Sequence, residues 1–404
     1  MTKGRRNWWL VLALFSTGVM LGCGWKWWEG RRYRRAKMAI EAEMAAGRHA
    51  IAARNLIQLM AWSSDSDEAA YLLGICEQAR GRNRGADEAW ARVMPGSSFS
   101  ARAISARMSL AIDGGRLAAA ERLINDAAKD PRNDSTALRI LLLPIFSQEG
   151  RHEEAQRLIE LRWEHLREIG DETSELAINL ARLHAELEWQ PSPVEVIRAS
   201  LDHAAKLAPD DDRVWLAMAN LEIRTNKLQD ARRWLDSCLK RRPDDVPVWR
   251  AFLKWGMAAN QVDVVQQALP HLPASECDRT QVIRVEAWLA AQQGDHLSES
   301  RALERVVAAE PGDRVALKRL AELARQAGQQ ERTALLQRRE AEIVRLNTRY
   351  QKLYERNQPI RDAIEMGQLA EKLGRPFEAT VYLSVAAARS LRRDSARREL
   401  ERLR

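Results

Sequence analysis

The sequence has none of the short patterns that commonly mark an enzyme or a metal protein. It contains no H-E-x-x-H, no CxxC, no G-x-x-x-x-G-K-[ST] loop and no G-x-S-x-G elbow. That removes the common zinc, P-loop and nucleophile-elbow chemistries. Its seven histidines are scattered, with no two of them four residues apart. No metal, cofactor or catalytic residue is therefore expected. Beyond residue 30 the only cysteines are Cys76, Cys238 and Cys277. An odd, widely spaced set argues against a disulfide framework and for core thiols. Aromatic content is only 6%. β-Branched residues are sparse, alanine, leucine, arginine and glutamate dominate, and no Gly/Ser- or Pro-rich linker interrupts residues 33–390. The composition points to an all-α chain.

What is present is a ladder. Gly47, Gly81 and Gly115 stand 34 residues apart, with Gly150 one step of 35 further on. Asn226, Asn260, Gly294 and Gly328 again follow at steps of 34, and Gly374 closes the series. Gly and Asn enter the left-handed backbone region at least cost, and helices that stop and reverse commonly end on such a residue. Five residues after the turn stand Ala52, Ala86, Ala120, Ala155, Ala231 and Ala379, with Val265, Glu299 and Thr333 as exceptions. Nine residues after it the column is Leu56, Trp90, Ile124, Ile159, Leu235, Leu269, Leu303 and Leu383, broken only by Gln337. Before the turn come Trp215 and Trp249, and the pairs Leu73-Gly74, Met218-Ala219, Leu320-Ala321 and Met366-Gly367. Pro209, Pro243 and Pro311 mark helix ends, and the acids after them (Asp210 to Asp212, Asp244, Asp245, Asp313) suit helix N-caps.

These columns resemble the tetratricopeptide repeat (TPR), a 34-residue helix–turn–helix unit. Val214 to Asp244 carries the resemblance best, through Trp215, Met218, Ala219, Asn226, Ala231, Leu235 and Pro243. Met366-Gly367, Gly374, Ala379 and Leu383 form a second match. The resemblance covers residues 33–390 and implies a right-handed superhelical α-solenoid of about ten units, one elongated domain whose units touch only their neighbours. Two longer helical insertions are expected near 158–193 and 330–356, with the missing turn at Trp189–Pro193. Residues 389–404 read as a polar capping helix.

The N-terminus is a separate problem. After a basic tail, residues 1–7, the stretch Trp8 to Trp25 is an uncharged run of 18 residues. As a helix it spans roughly 27 Å, near the hydrocarbon thickness of a bilayer. Trp8, Trp9, Trp25, Trp27 and Trp28 match interfacial belts, so residues 8–28 read as a transmembrane signal anchor. A basic juxtamembrane segment, 29–37, follows, with Arg31, Arg32, Arg34 and Arg35 placed to meet lipid headgroups. A lipoprotein modified at Cys23 is the alternative; a cleaved signal peptide lacks a small-residue cleavage site. The larger positive count after the span puts the solenoid on the cytoplasmic side of the inner membrane, with the periplasm left open.

Function then reduces to the groove. In a TPR stack the first helices line the concave face. One step after the Trp column stand Leu216, Arg250, Arg284 and Lys318; one turn further stand Asn220, Lys254, Trp288 and Glu322. Three successive cations at one repeat position suggest a ladder for an acidic peptide or carboxylate. The family's carboxylate clamp is only loosely resembled, through Asn220 and Arg250, and its ligand is not carried over. A net charge of +8 raises nucleic acid as a partner, but acids interleave with the bases and no aromatic-basic motif stands out. The expected protein is a membrane-anchored scaffold for protein partners. The alternatives are an envelope assembly factor and a non-catalytic subunit recruiting an enzyme complex.

Overall fold

The computed structural model describes residues 31–62, 67–171, 174–189, 193–273 and 279–389. The described residues form helices and connecting turns, with no strand among them. The expected membrane span, its Trp belt, Cys23, Cys277 and most of the C-terminal cap lie outside the described residues. Among those that are described, no helix is long and apolar enough to cross a membrane.

All nine ladder residues have positive φ, from 55° at Asn260 to 73° at Gly47. Each joins two helices. Helix α1 (residues 31–45) turns at Gly47 into α2 (His49–Trp62), and α3 (Asp67–Ala79) turns at Gly81 into α4 (Asn83–Trp90). Next come α5 (Ser100–Asp113) and α6 (Leu117–Ala127), then α7 (Ser135–Arg139) and α8 (Leu143–Gln148) leading through Gly150 into α9 (His152–Glu168). Helix α10 (Glu175–Trp189) precedes α11 (Val194–Leu207), and the turn expected between them falls on residues 190–192, outside the described set. The regular pairs α12 (Asp212–Arg224) with α13 (Leu228–Arg241) and α14 (Val246–Ala258) with α15 (Val262–Ala268) follow. So do α16 (Arg279–Gln292) with α17 (His296–Ala309), α18 (Arg314–Gln326) with the long α19 (Gln330–Arg356), and α20 (Ala363–Lys372) with α21 (Pro376–Arg389).

Each sequence column has a physical task. The six alanines five residues after the turn are completely buried, where a larger side chain would push the two helices apart. Positions seven before and nine after the turn meet each other: a Cβ built on Gly74 would lie 2.2 Å from Trp90 Nε1, and one on Gly367 would lie 2.7 Å from Leu383 Cγ. Trp215 and Trp249 donate their indole N–H to the carbonyls of Pro209 (2.8 Å) and Pro243 (2.6 Å), tying each helix start to the loop before it. Asp211, Asp245 and Asp313 cap α12, α14 and α18 by accepting from backbone N–H groups. Cys76 and Cys238 are free and buried, and burial pushes the Cys238 thiol up to about 12.

The chain divides into two compact units: Met1–Asp113 with Arg122–Leu138, and Gly114–Glu121 with Arg139–Arg404. In the first, Ile40, Leu56, Leu73 and Cys76 form one core cluster, and Trp90, Val93 and Leu110 another. Replacing Gly74 by alanine should lower the stability of this unit by about 1–3 kcal/mol, the usual penalty of overpacking. A thermal melt of the variant checks it.

The second unit departs from strict stacking of neighbours. Helix α9 runs on to Glu168, reverses through Gly170 (φ +74°), and returns as α10. Helix α10 then packs against α9 and against α21, far along the chain. One cluster unites Ile159, Trp163, Leu166 and Leu180 with Leu317, Tyr350 and Tyr382. The expectation that units touch only their neighbours is therefore corrected here. The extra residues between Gly150 and Asn226 give the α9–α10 segment the length to reach the C-terminal helices.

Candidate functional site

The cationic ladder is occupied from within. The Arg250 side chain is only 5% exposed and binds Glu154 of α9 at 2.7 Å, while Lys254 binds Glu153 at 2.9 Å. Burial works to raise the Glu153 carboxyl, but Lys254 and Arg250 outweigh it and hold the group below its usual range. Arg284 binds Glu310 and, at 2.9 Å, Asp313. Lys318 is exposed and lies 3.7 Å from Glu340. Of the remaining groove candidates, Leu216 is completely buried in a core cluster with Leu235 and Phe252. Asn220 donates to the Glu149 carbonyl at 2.7 Å, and Glu322 accepts from Arg325 and Gln326. Arg31, Arg32, Arg34 and Arg35 are exposed on α1.

Helix α9 is a fixture and not a removable plug. Lifting it away would expose Ile159 and Leu166 at about 1.5–3 kcal/mol each, with Trp163 adding to that. Arg250 and Lys254 are thus structural cations in this chain. Charge reversal at Arg250 would set an acid against Glu153 and Glu154.

Two of the cavities among the described residues adjoin one another here. The larger, about 1310 Å³, lies between α9 and the helices α14, α16 and α21, with Glu160, Glu164, Leu253, His184 and Phe377 in its walls. The smaller, about 680 Å³, is mostly apolar, walled by Ala287, Trp288, Leu303, Val306 and Ala316. Met257, Arg284, Glu310, Gly374 and Arg375 line both. Of the groove candidates, Arg284 and Trp288 line the smaller cavity, and Trp288 is the apolar one. The sequence columns missed Arg319, which holds the nearly buried Glu299 through two bonds of 2.6 and 3.0 Å. A signal for it existed: Glu299 stands where six other repeats have alanine. Among the described residues no cluster of His, Cys, Asp and Glu could hold a metal.

Residues 198–255, which include α12, Asn226, α13 and the Trp249 clamp, match the sequence profile of the tetratricopeptide repeat family. That segment is tetratricopeptide-repeat sequence. Solved structures similar to the chain include one from the APC/C hetero-tetramer Cut9–Hcn1, at 13% identity over 92% of this chain and 96% of that one, TM-score 0.33. Yeast Tom70 is similar at 10% identity over 93% and 95%, TM-score 0.26. The P58(IPK) TPR domain is similar at 15% over 92% and 97%, TM-score 0.24. Similarities this distant say nothing of this chain's partner. No curated protein matches the chain.

Proposed function

We propose that this protein is a membrane-anchored TPR scaffold whose C-terminal units bind a segment of a partner protein at the smaller cavity. The observation that carries the reading is the apolar cavity of about 680 Å³ beside Trp288, built by consecutive repeats. Its size lies in the range of specific ligand pockets, and its mostly apolar surface with the Trp288 ring in the wall suits a large apolar side chain. Arg284 and Arg319 at its edge, each already paired with acids, favour acidic residues flanking that side chain, by exchange of carboxylates. Attachment rests on residues 8–28, with the repeats on the cytoplasmic side as the flanking charges argue. Any catalysis belongs to what the scaffold recruits.

A photo-crosslinking residue in place of Trp288 tests this in cells. It should trap one partner that the same residue at the exposed Arg233 does not. With that partner purified, Trp288→Ala should weaken binding by roughly tenfold or more while helicity is unchanged. Identical crosslinks from both positions would refute the reading.

A further inference from the structure

One buried ionisable group has no task in the packing described so far. His184, on α10, projects between two carboxylates contributed by other helices. Its Nδ1 lies 3.2 Å from Glu378 Oε1 of α21, and its Nε2 lies 3.8 Å from Glu160 Oε1 of α9. The ring packs on Phe377 at 4.7 Å between centroids. Glu378 is completely buried, and its other oxygen, Oε2, accepts no hydrogen bond. His184 and Phe377 both stand in the wall of the larger cavity.

We propose that His184 is a proton-operated clasp that holds the seam between α10 and α21 shut and so governs access to the larger cavity. The purpose of the clasp rests on the binding function argued above; its operation does not. The seam also has an apolar part: Ile178 meets Val385, Ala386 and Ala363, and Ala177, Leu180 and Ala181 share a core cluster with Ala379, Val381 and Tyr382.

The sign follows from the charges. An imidazole between two carboxylates is favoured in its cationic form. With the ring charged, Glu378 has a counterion inside the protein. With the ring neutral, the same carboxylate is buried without one, which is strongly unfavourable. The other ionisable groups nearby do not substitute. Arg182 and Glu186, on α10 itself, are engaged with Tyr354 of α19. Tyr350 and Tyr382 interact with Glu378, but burial pushes both phenols up and keeps them neutral. Arg375, in the turn before α21, shares the cavity wall and lies over the Tyr350 ring. The seam's stability is thus fully present below the ordinary imidazole range, about 6.5, and is lost as pH rises above that range.

Hydrogen exchange on the full chain at about pH 6 and about pH 8.5 tests the clasp, with rates corrected to protection factors. Amides of α10 and α21 should be protected roughly tenfold more at the lower pH, while α12 and α13 do not change. His184→Gln should abolish the difference. If that variant does not fold, Glu378→Gln should abolish it too, because no buried charge is then stranded. Equal protection at both pH values in the parent, or a difference that survives in either folded variant, overturns the proposal. Either result leaves the Trp288 crosslinking test untouched, so the clasp and the binding site fail separately.

Discussion

Arg213→Ala should lower the unfolding free energy by about 3–5 kcal/mol, the usual effect of removing one partner from a buried ion pair. The guanidinium binds Glu121 at 2.6 Å and Asp245 through bonds of 3.0 and 2.9 Å, with its side chain only 7% exposed. Glu121 also accepts from Arg151 at 3.0 Å, and Arg151 holds Glu149 at 2.8 Å. Burial pushes the Glu149 carboxyl up to about 7, which marks how poorly water reaches this cluster. Truncating Arg213 therefore leaves Glu121 to Arg151 alone and Asp245, the N-cap of α14, with Arg242 at 3.4 Å as its remaining cation. The urea midpoint should fall with little change in slope. Arg349→Ala, which removes an exposed pair with Glu365, should shift it by no measurable amount. Equal shifts for the two variants would refute the buried-network account.

The second large effect separates rungs of the ladder that look identical in sequence. Gly328 and Gly115 have φ of 71° and 70°. A Cβ on Gly328 meets nothing within 4 Å, so Gly328→Ala should cost about 1–2 kcal/mol of left-handed strain alone. Gly328→Asn should be nearly neutral, since Asn226 and Asn260 hold the same conformation at equivalent turns. A Cβ on Gly115 would lie 2.6 Å from the Ala204 carbonyl oxygen and 2.9 Å from its Cα. Because both are backbone atoms of α11, no rotamer change relieves the clash. Gly115→Ala should then cost about 2–5 kcal/mol, strain plus overpacking. Denaturation midpoints of the three variants check the order. Equal losses for Gly115→Ala and Gly328→Ala would show that only the turn conformation matters.

These two rungs also show how far the sequence could be read. Backbone conformation and the contacts across one turn are local, and the Ala, Leu, Trp and Pro columns record them directly. Gly74 against Trp90 is legible in that way, as are the Asp N-caps. The groove was harder. Arg250, Arg284 and Lys318 recur at one position, yet whether a cation is open depends on what lies opposite. For Arg250 and Lys254 the opposite wall is Glu153 and Glu154, about a hundred residues earlier. No period of 34 carries that information. Glu299 was readable as a break in the alanine column, but its partner Arg319 was visible only in space.

The sequence by itself determined the repeating helix–turn–helix unit, because a left-handed turn, a small contact residue and a cap each depend on a few neighbouring residues. Tertiary structure alone decided which repeated positions remain available. The α9–α10 segment leaves the neighbour order and packs against α21, neutralising Arg250 and Lys254 on the way. It leaves Trp288 facing an apolar cavity and encloses His184 between two acids. Those outcomes rest on contacts between residues far apart in the chain, which a local periodicity cannot encode.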